Sequence, residues 1–328
     1  MKRKILISLF ALAGLLLFVF FKSFPLPFCN GEKFPVVRTE NSCSGNKIVF
    51  VSDTQQQIWA ETFFLEENGN DTAREAIFAK ILDEKPAAVF HLGDLTAYGY
   101  CDNAWAPIDN FVEKLNSLRV PFYPAFGNHE YILYSSLGRK NFAKRFPDAE
   151  ETGYAVRCGN ALVILLNSNF SELTKEETEN QKRKYFEFLG NAEKDTTIKA
   201  VIVATHYSPF TNSKIVSPSE EVRREFLPAF FSSSKAKLFI SGHAHALERF
   251  KVRGKNFLVI GGGGGLQQPL FTGDDEKYKD LFDNHSPRRP FHFLEIETRD
   301  DTLFVSAQIL NDDFKTFRKV TLLSVPEL

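Results

Sequence analysis

Five short apolar runs in this 328-residue chain are each followed, within a few residues, by a side chain able to ligate a metal. The runs cover residues 47–52, 87–91, 121–126, 200–205 and 237–241. They lead into Asp53-Thr54-Gln55, Gly93-Asp94, Gly127-Asn128-His129-Glu130, His206 and Gly242-His243-Ala244-His245. Runs of this length read as strands. Helical periodicity fills the gaps at 71–84 and 104–118, with Ala73, Ile77 and Ile81 on one face of the first. Strand–helix–strand alternation restricts the chain to a parallel sheet covered by helices. Sites in such sheets lie beyond the carboxyl ends of the strands, where these motifs fall.

The second half repeats the pattern. A strand is predicted at 161–167, a helix at 175–189, and a further helix at 220–231 between the strands 200–205 and 237–241. Later strands are predicted at 257–260, 291–297 and 303–309. The expected class is α/β, with two facing mixed sheets and helices outside. Hydrophobic residues make up 43% of the chain and Phe alone accounts for 34 positions, so core material is ample. The polar segment 267–290 is expected to be a mobile loop.

The chemistry of these residue types is specific. Asp53 and Asp94 are hard anionic ligands, and Asp94 has two oxygens with which to bridge two cations. Gln55 and Asn128 offer amide oxygens. His206, His243 and His245 offer neutral imidazoles. Two divalent cations among ligands carrying two negative charges leave a positive surplus that attracts a phosphate ester and lowers the pKa of a shared water. His129, beside Asn128, is placed to stabilise the developing charge or to protonate a leaving oxygen. Gly261 to Gly265 lack a following Lys-Ser/Thr and so read as a tight strand exit near the metals rather than a P-loop. His91, three residues before Asp94, is read as a core residue with a supporting role as the alternative.

These motifs together resemble the calcineurin-like metallophosphoesterases over residues 47–265, and more weakly the purple acid phosphatases. The resemblance implies a four-layer α/β/β/α sandwich and a metal-dependent phosphoric ester hydrolase with two divalent ions, Mn, Fe or Zn. Carried over by motif, one ion takes Asp53, Gln55, Asp94 and His245. The other takes Asp94, Asn128, His206 and His243, with His129 as the acid. The first motif departs from the family's Asp-x-His, because Gln55 puts a weaker, neutral oxygen in place of an imidazole. The purple acid phosphatase tyrosinate position is Ala97 here, and Tyr98 comes one residue late. A non-catalytic metal-binding domain that recognises a phosphorylated partner or lipid is the alternative that Gln55 leaves open. Loops at 55–70, 95–103 and 266–290 are expected to choose the substrate.

Residues 1–22 stand apart. Lys2, Arg3 and Lys4 precede a largely apolar run of 17 residues, 5–21, closed by Lys22. This pattern is expected to be a signal anchor or a signal peptide, exporting the body and tethering it to a membrane if uncleaved. Residues 23–46 read as a linker and 47–328 as the catalytic domain. Setting aside the four basic residues of the leader, 36 Lys and Arg of the chain's 40 face 41 acidic residues, a net of −5. A nucleic-acid partner is therefore not expected. In an exported chain the four cysteines suggest disulfides. Three pairings exist; spacing favours Cys29 with Cys43, which would leave Cys101 with Cys158.

Overall fold

The computed structural model describes residues 34–282, 286, 288–299 and 302–325. Among them the chain runs through Ser42–Cys43 (β1), Lys47–Val51 (β2), Asn70–Glu84 (α1), Ala88–His91 (β3), Ala106–Ser117 (α2), Phe122–Pro124 (β4), Ser135–Arg145 (α3), Tyr154–Cys158 (β5), Ala161–Leu166 (β6) and Lys175–Lys194 (α4). It continues through Ala200–Thr205 (β7), Glu220–Glu225 (α5), Leu227–Ser232 (α6), Ala236–Ser241 (β8), Leu247–Val252 (β9), Lys255–Ile260 (β10), His292–Arg299 (β11), Thr302–Leu310 (β12) and Phe317–Val325 (β13). The expected leader and Cys29 lie outside the described residues. Among the described residues no helix is long and apolar enough to cross a membrane.

Strand alternation builds the layers. In β2, Ile48 and Phe50 face one way and Val49 and Val51 the other. Ile48 and Phe50 join Phe90, Ile202, Ala204, Ile240 and Leu294 in a core between two sheets. Val49 and Val51 pack with Ile77 and Ile81 of α1 and Phe111 and Val112 of α2. Val201 and Val203 of β7 pack on the opposite outer side with Tyr185 and Leu189 of α4 and Phe230 of α6. One sheet has the order β1-β5-β6-β7-β8-β10-β9, the other β13-β12-β11-β2-β3-β4, and both mix parallel and antiparallel pairs. The four-layer α/β/β/α sandwich expected from the resemblance is the fold. The Phe content is used here: Phe50, Phe90 and Tyr123 sit opposite one another on β2, β3 and β4, with ring centroids 4.9 and 5.0 Å apart. Each such pair adds about 0.5–1.5 kcal/mol to simple burial.

Three expectations change. The helix expected at 220–231 is two, because Pro228 cannot donate a hydrogen bond within a helix and instead starts α6. α4 runs five residues past its expected end, and its start carries a capping box between Thr174 and Glu177. The polar segment 267–290 is held along much of its described length. Leu270 bridges to Ser213, and the Asn212 side chain accepts from the N–H groups of Lys277 and Tyr278.

The disulfide pairing follows topology rather than spacing. β1 adds to the edge of the larger sheet parallel to β5, which sets Cys43 opposite Cys158. These two form the bond, with an S–S distance of 2.01 Å, so neither expected pairing of Cys43 or Cys158 holds. Cys101 is disulfide-bonded as well. The described part of the expected linker is thus stapled to the body. The Val37 N–H donates to Arg145 O at 2.7 Å, and Val37 is buried. The Cys43–Cys158 link closes a span of 115 residues. Cys43→Ser with Cys158→Ser is expected to cost about 2–5 kcal/mol of stability, read as a lower urea midpoint, with a steeper slope because the unlinked denatured chain exposes more surface. An unchanged midpoint would show that strand pairing alone holds this edge.

Candidate metal centre

The carboxyl ends of β2, β3, β7 and β8 meet along one seam, and each releases its motif there. Asp53, Asp94 and His243 adopt left-handed backbone, with φ of 59°, 55° and 65°. Such conformations cost of order 1–3 kcal/mol each and persist only where the surroundings impose them. Here they do. Asp53 N–H donates to Gly93 O at 3.1 Å, Gly265 N–H donates to Asp53 O at 2.9 Å, and His243 N–H donates to the Asp53 carboxylate at 3.0 Å. A Cβ at Gly127 would lie 2.2 Å from Asp94 Oδ1, and one at Gly242 2.1 Å from Ser52 Oγ, so neither position admits a side chain.

Glu130 is the organiser that sequence reasoning named but gave no task. Its buried carboxylate accepts from the N–H groups of Asp94 (3.0 Å), Leu95 (2.8 Å) and Gly127 (2.6 Å), tying the Asp94 turn to the Asn128 loop. Burial, then the neighbouring Asp94 charge, pushes its carboxyl up to about 7.

Lone pairs converge on the seam. His206 Nδ1–H donates to Leu92 O at 2.9 Å, which leaves Nε2 as its acceptor nitrogen. That nitrogen faces two more acceptors, Asn128 Oδ1 at 2.9 Å and Asp94 Oδ2 at 3.3 Å. His245 Nδ1–H donates to Leu266 O at 2.6 Å, and its Nε2 faces Asp53 Oδ1 at 3.4 Å. Three acceptors pointing at one spot call for a positive charge between them, a proton on Nε2 or a metal cation. Gln55 adds to this: its Oε1 is buried with no hydrogen-bond partner among the described residues, while its Nε2 donates to His245 Nε2 at 3.2 Å. The residues fit a metal. Ligand atoms of Asp94, His206 and His243 lie within 4.8 Å of one another, as do those of Asp53, Asp94 and His245. Asp94 belongs to both groups, as the sequence motifs imply.

The electrostatics agree. Burial alone would raise the Asp94 carboxyl, but His206 and His129 hold it well below the carboxylate range. Burial opposes a proton on His206, yet Asp94 raises that group to about 9. A field that favours a proton there favours a metal cation in its place. Burial and His206 together lower His243 to about 3, keeping its imidazole neutral.

A cavity of about 380 Å³ opens over the centre, lined by Asp94, Asn128, His129, His243 and His245 together with Glu61, Phe64, Leu65, Lys214, Ile215, Val216 and Gln268. A larger hollow along α4, about 650 Å³, holds no ligand group of either cluster. His129 Nδ1–H donates to Ala97 O at 3.0 Å, which aims Nε2 into the cavity. Asp94 Oδ2 and Glu61 Oε1 each lie 3.9 Å from that nitrogen. Glu61 was not singled out in the sequence; only its membership of the loop 55–70 pointed toward the site. His91 is buried, and its Nε2 meets the Thr54 hydroxyl at 2.8 Å, between Asp53 and Gln55. The glycine run does pack on the centre, since a Cβ at Gly265 would lie 2.6 Å from His245 Cε1. His292 sits behind it, buried against Gly262.

A model of the family described as calcineurin-like phosphoesterase matches residues 46–247. Among solved structures the chain is similar to a purple acid phosphatase from yellow lupin (Lupinus luteus) seeds, at 16% identity and TM-score 0.60, covering 84% of this chain and 53% of that one. The chain therefore spans about half the length of the lupin protein. It is similar to Plasmodium GAP50, described as the anchor in the inner membrane complex, at 14% identity and TM-score 0.58, covering 85% and 89%. It is similar to a dimetal phosphatase from Danio rerio at 15% identity and TM-score 0.52, covering 85% and 99%. At these identities the structural likenesses speak for the fold.

Proposed function

The chain belongs to the calcineurin-like phosphoesterase family, whose members are metal-dependent phosphoester hydrolases, and from that premise we propose that it hydrolyses phosphate esters at a dinuclear centre. Asp53, Gln55, Asp94 and His245 would hold one ion, and Asp94, Asn128, His206 and His243 the other. The observation that carries this is the convergence of Asp94 Oδ2, Asn128 Oδ1 and the lone-pair nitrogen of His206 on one buried point.

Bound there, two divalent cations would supply Lewis acidity toward the phosphoryl oxygens and lower the pKa of a water. The protein's own groups do the rest. Carbonyls of Leu92 and Leu266 hold His206 and His245 with Nε2 facing inward. Glu130 holds the turn that carries Asp94. His129, with Nδ1–H on Ala97 O, turns Nε2 toward the cavity, where it would pass a proton to the departing oxygen. Asp94 and Glu61 flank that nitrogen.

The test is direct. Protein loaded with Mn²⁺, Fe²⁺ or Zn²⁺ should turn over nitrophenyl phosphate or a nitrophenyl phosphodiester, with activity rising as metal content approaches two equivalents. Full occupancy without turnover of either ester would overturn the reading. Gln55→Leu removes the orphaned oxygen and is expected to weaken one of the two metal-binding steps about tenfold, leaving the other in place. Calorimetric titration separates the two; equal affinities in variant and parent would remove Gln55 from the ligand set.

The second reading, a non-catalytic domain that recognises a phosphorylated partner or lipid, is favoured by Gln55 itself, where the family motif has an imidazole. It requires one bound ion and phosphate binding without turnover.

The proposal extends to location. Residues 1–22 export the body as a signal anchor or signal peptide, tethering it to the membrane in the first case. The basic cluster ahead of an apolar run supports this, as does the Cys43–Cys158 bond, which an oxidising compartment sustains.

A further inference from the structure

We infer that the substrate is an amphiphile, a phosphoester whose phosphate enters the metal cavity while a long apolar group lies on an aromatic rim beside it. The inference rests on the phosphoesterase reading and names its substrate class. One short turn makes both halves of the feature. Its residue Glu61 faces His129, held by the Ile58 N–H donating to Glu61 Oε2 at 2.9 Å. The same turn sends Trp59, Phe63 and Phe64 outward, 71%, 72% and 82% exposed. Trp59 and Phe63 meet edge to face with centroids 5.4 Å apart, so they form a surface rather than separate side chains. Phe64 lines the cavity itself, and Ile215, 47% exposed, faces it from the other wall. Lys214, next to Ile215, brings a cation to that mouth.

Exposed apolar residues elsewhere include Phe186 on α4, Leu118 at the end of α2, and Val36, Leu133 and Leu281 outside the helices; exposed apolar residues of this kind are ordinary. Three exposed aromatics on one turn, the last of them lining a cavity over the candidate metal centre, are not. The group that covers it is best supplied by the molecule the cavity binds. In the reaction water's oxygen forms a bond to phosphorus, the bond to the leaving oxygen breaks, and His129 supplies that oxygen's proton. The apolar group stays on the rim throughout.

The experiment uses the full chain and three nitrophenyl phosphodiesters with methyl, butyl and octyl groups, all below their aggregation limits. Their leaving group is the same, so chain length alone changes. kcat/KM is expected to rise about tenfold or more from methyl to octyl, well below the limit that complete burial of seven methylenes would allow. With Trp59→Ser, Phe63→Ser and Phe64→Ser combined, the octyl-to-methyl ratio should fall to near one. Turnover with a flat ratio in the parent overturns the inference and leaves the phosphoesterase reading standing. A parent that binds phosphatidylcholine vesicles through these aromatics, with a flat ratio, makes the rim a membrane contact and overturns it too. So does a flat ratio in a dimer that the triple variant dissolves. No turnover of any of the three diesters overturns the inference as well, and the phosphoesterase reading then falls only if nitrophenyl phosphate is not turned over either.

Discussion

Asp94→Asn is expected to reduce kcat/KM for nitrophenyl esters by about 10³-fold or more, beyond the 10–100-fold that loss of a hydrogen-bond partner behind a metal ligand costs. The fold should survive. Asn tolerates left-handed backbone as well as Asp does, which suits the φ of 55° at this position. Its amide oxygen can still accept from the His129 N–H, now 2.9 Å from Asp94 Oδ1. What disappears is charge. Asp94 is the one carboxylate common to both ligand groups, and it faces His206 Nε2 at 3.3 Å. A neutral amide there leaves a single anionic ligand, Asp53, for two cations. Metal content should fall below two equivalents while circular dichroism stays unchanged. Activity within tenfold of the parent would mean that Asp94 bridges nothing.

His129→Ala is the second large effect and has a different signature. Its loss of about 10²–10⁴-fold belongs to proton transfer rather than to metal holding. Both metals should remain, because the His129 group that touches Asp94 Oδ1 is the backbone N–H, which Ala retains. The loss should be small for nitrophenyl esters, whose leaving group needs little protonation, and large for alkyl phosphates. An equal loss across leaving groups, or a loss of metal, would remove His129 from the role of acid.

Much of this centre is legible in the sequence because its ligands sit directly after strands. An apolar run ends where the chain leaves the core, so Asp53, Asp94, His206 and His243 mark strand ends by position as well as by type. What stayed hidden depends on distance in space. The partner of Cys43 is set by the pairing of the two-residue β1 with β5, and no local spacing reports that. β9 and β13 escape notice because charged residues interrupt them, in Leu247–Val252 and again in Phe317–Val325. α3 escapes because Phe142 is the one large apolar side chain it buries. Glu61 is one of many acidic residues until its short turn folds over His129. The strained backbone of Asp53, Asp94 and His243 is also invisible in the letters, although the glycines beside them hint at crowding.

The most direct test of the account is anomalous scattering from crystals grown with Mn²⁺. Two peaks about 3.5–4 Å apart, with the Asp94 carboxylate between them, Asp53 and His245 on one side and His206 and His243 on the other, are the predicted result. A single peak at full loading, or two peaks that do not share Asp94, would contradict it.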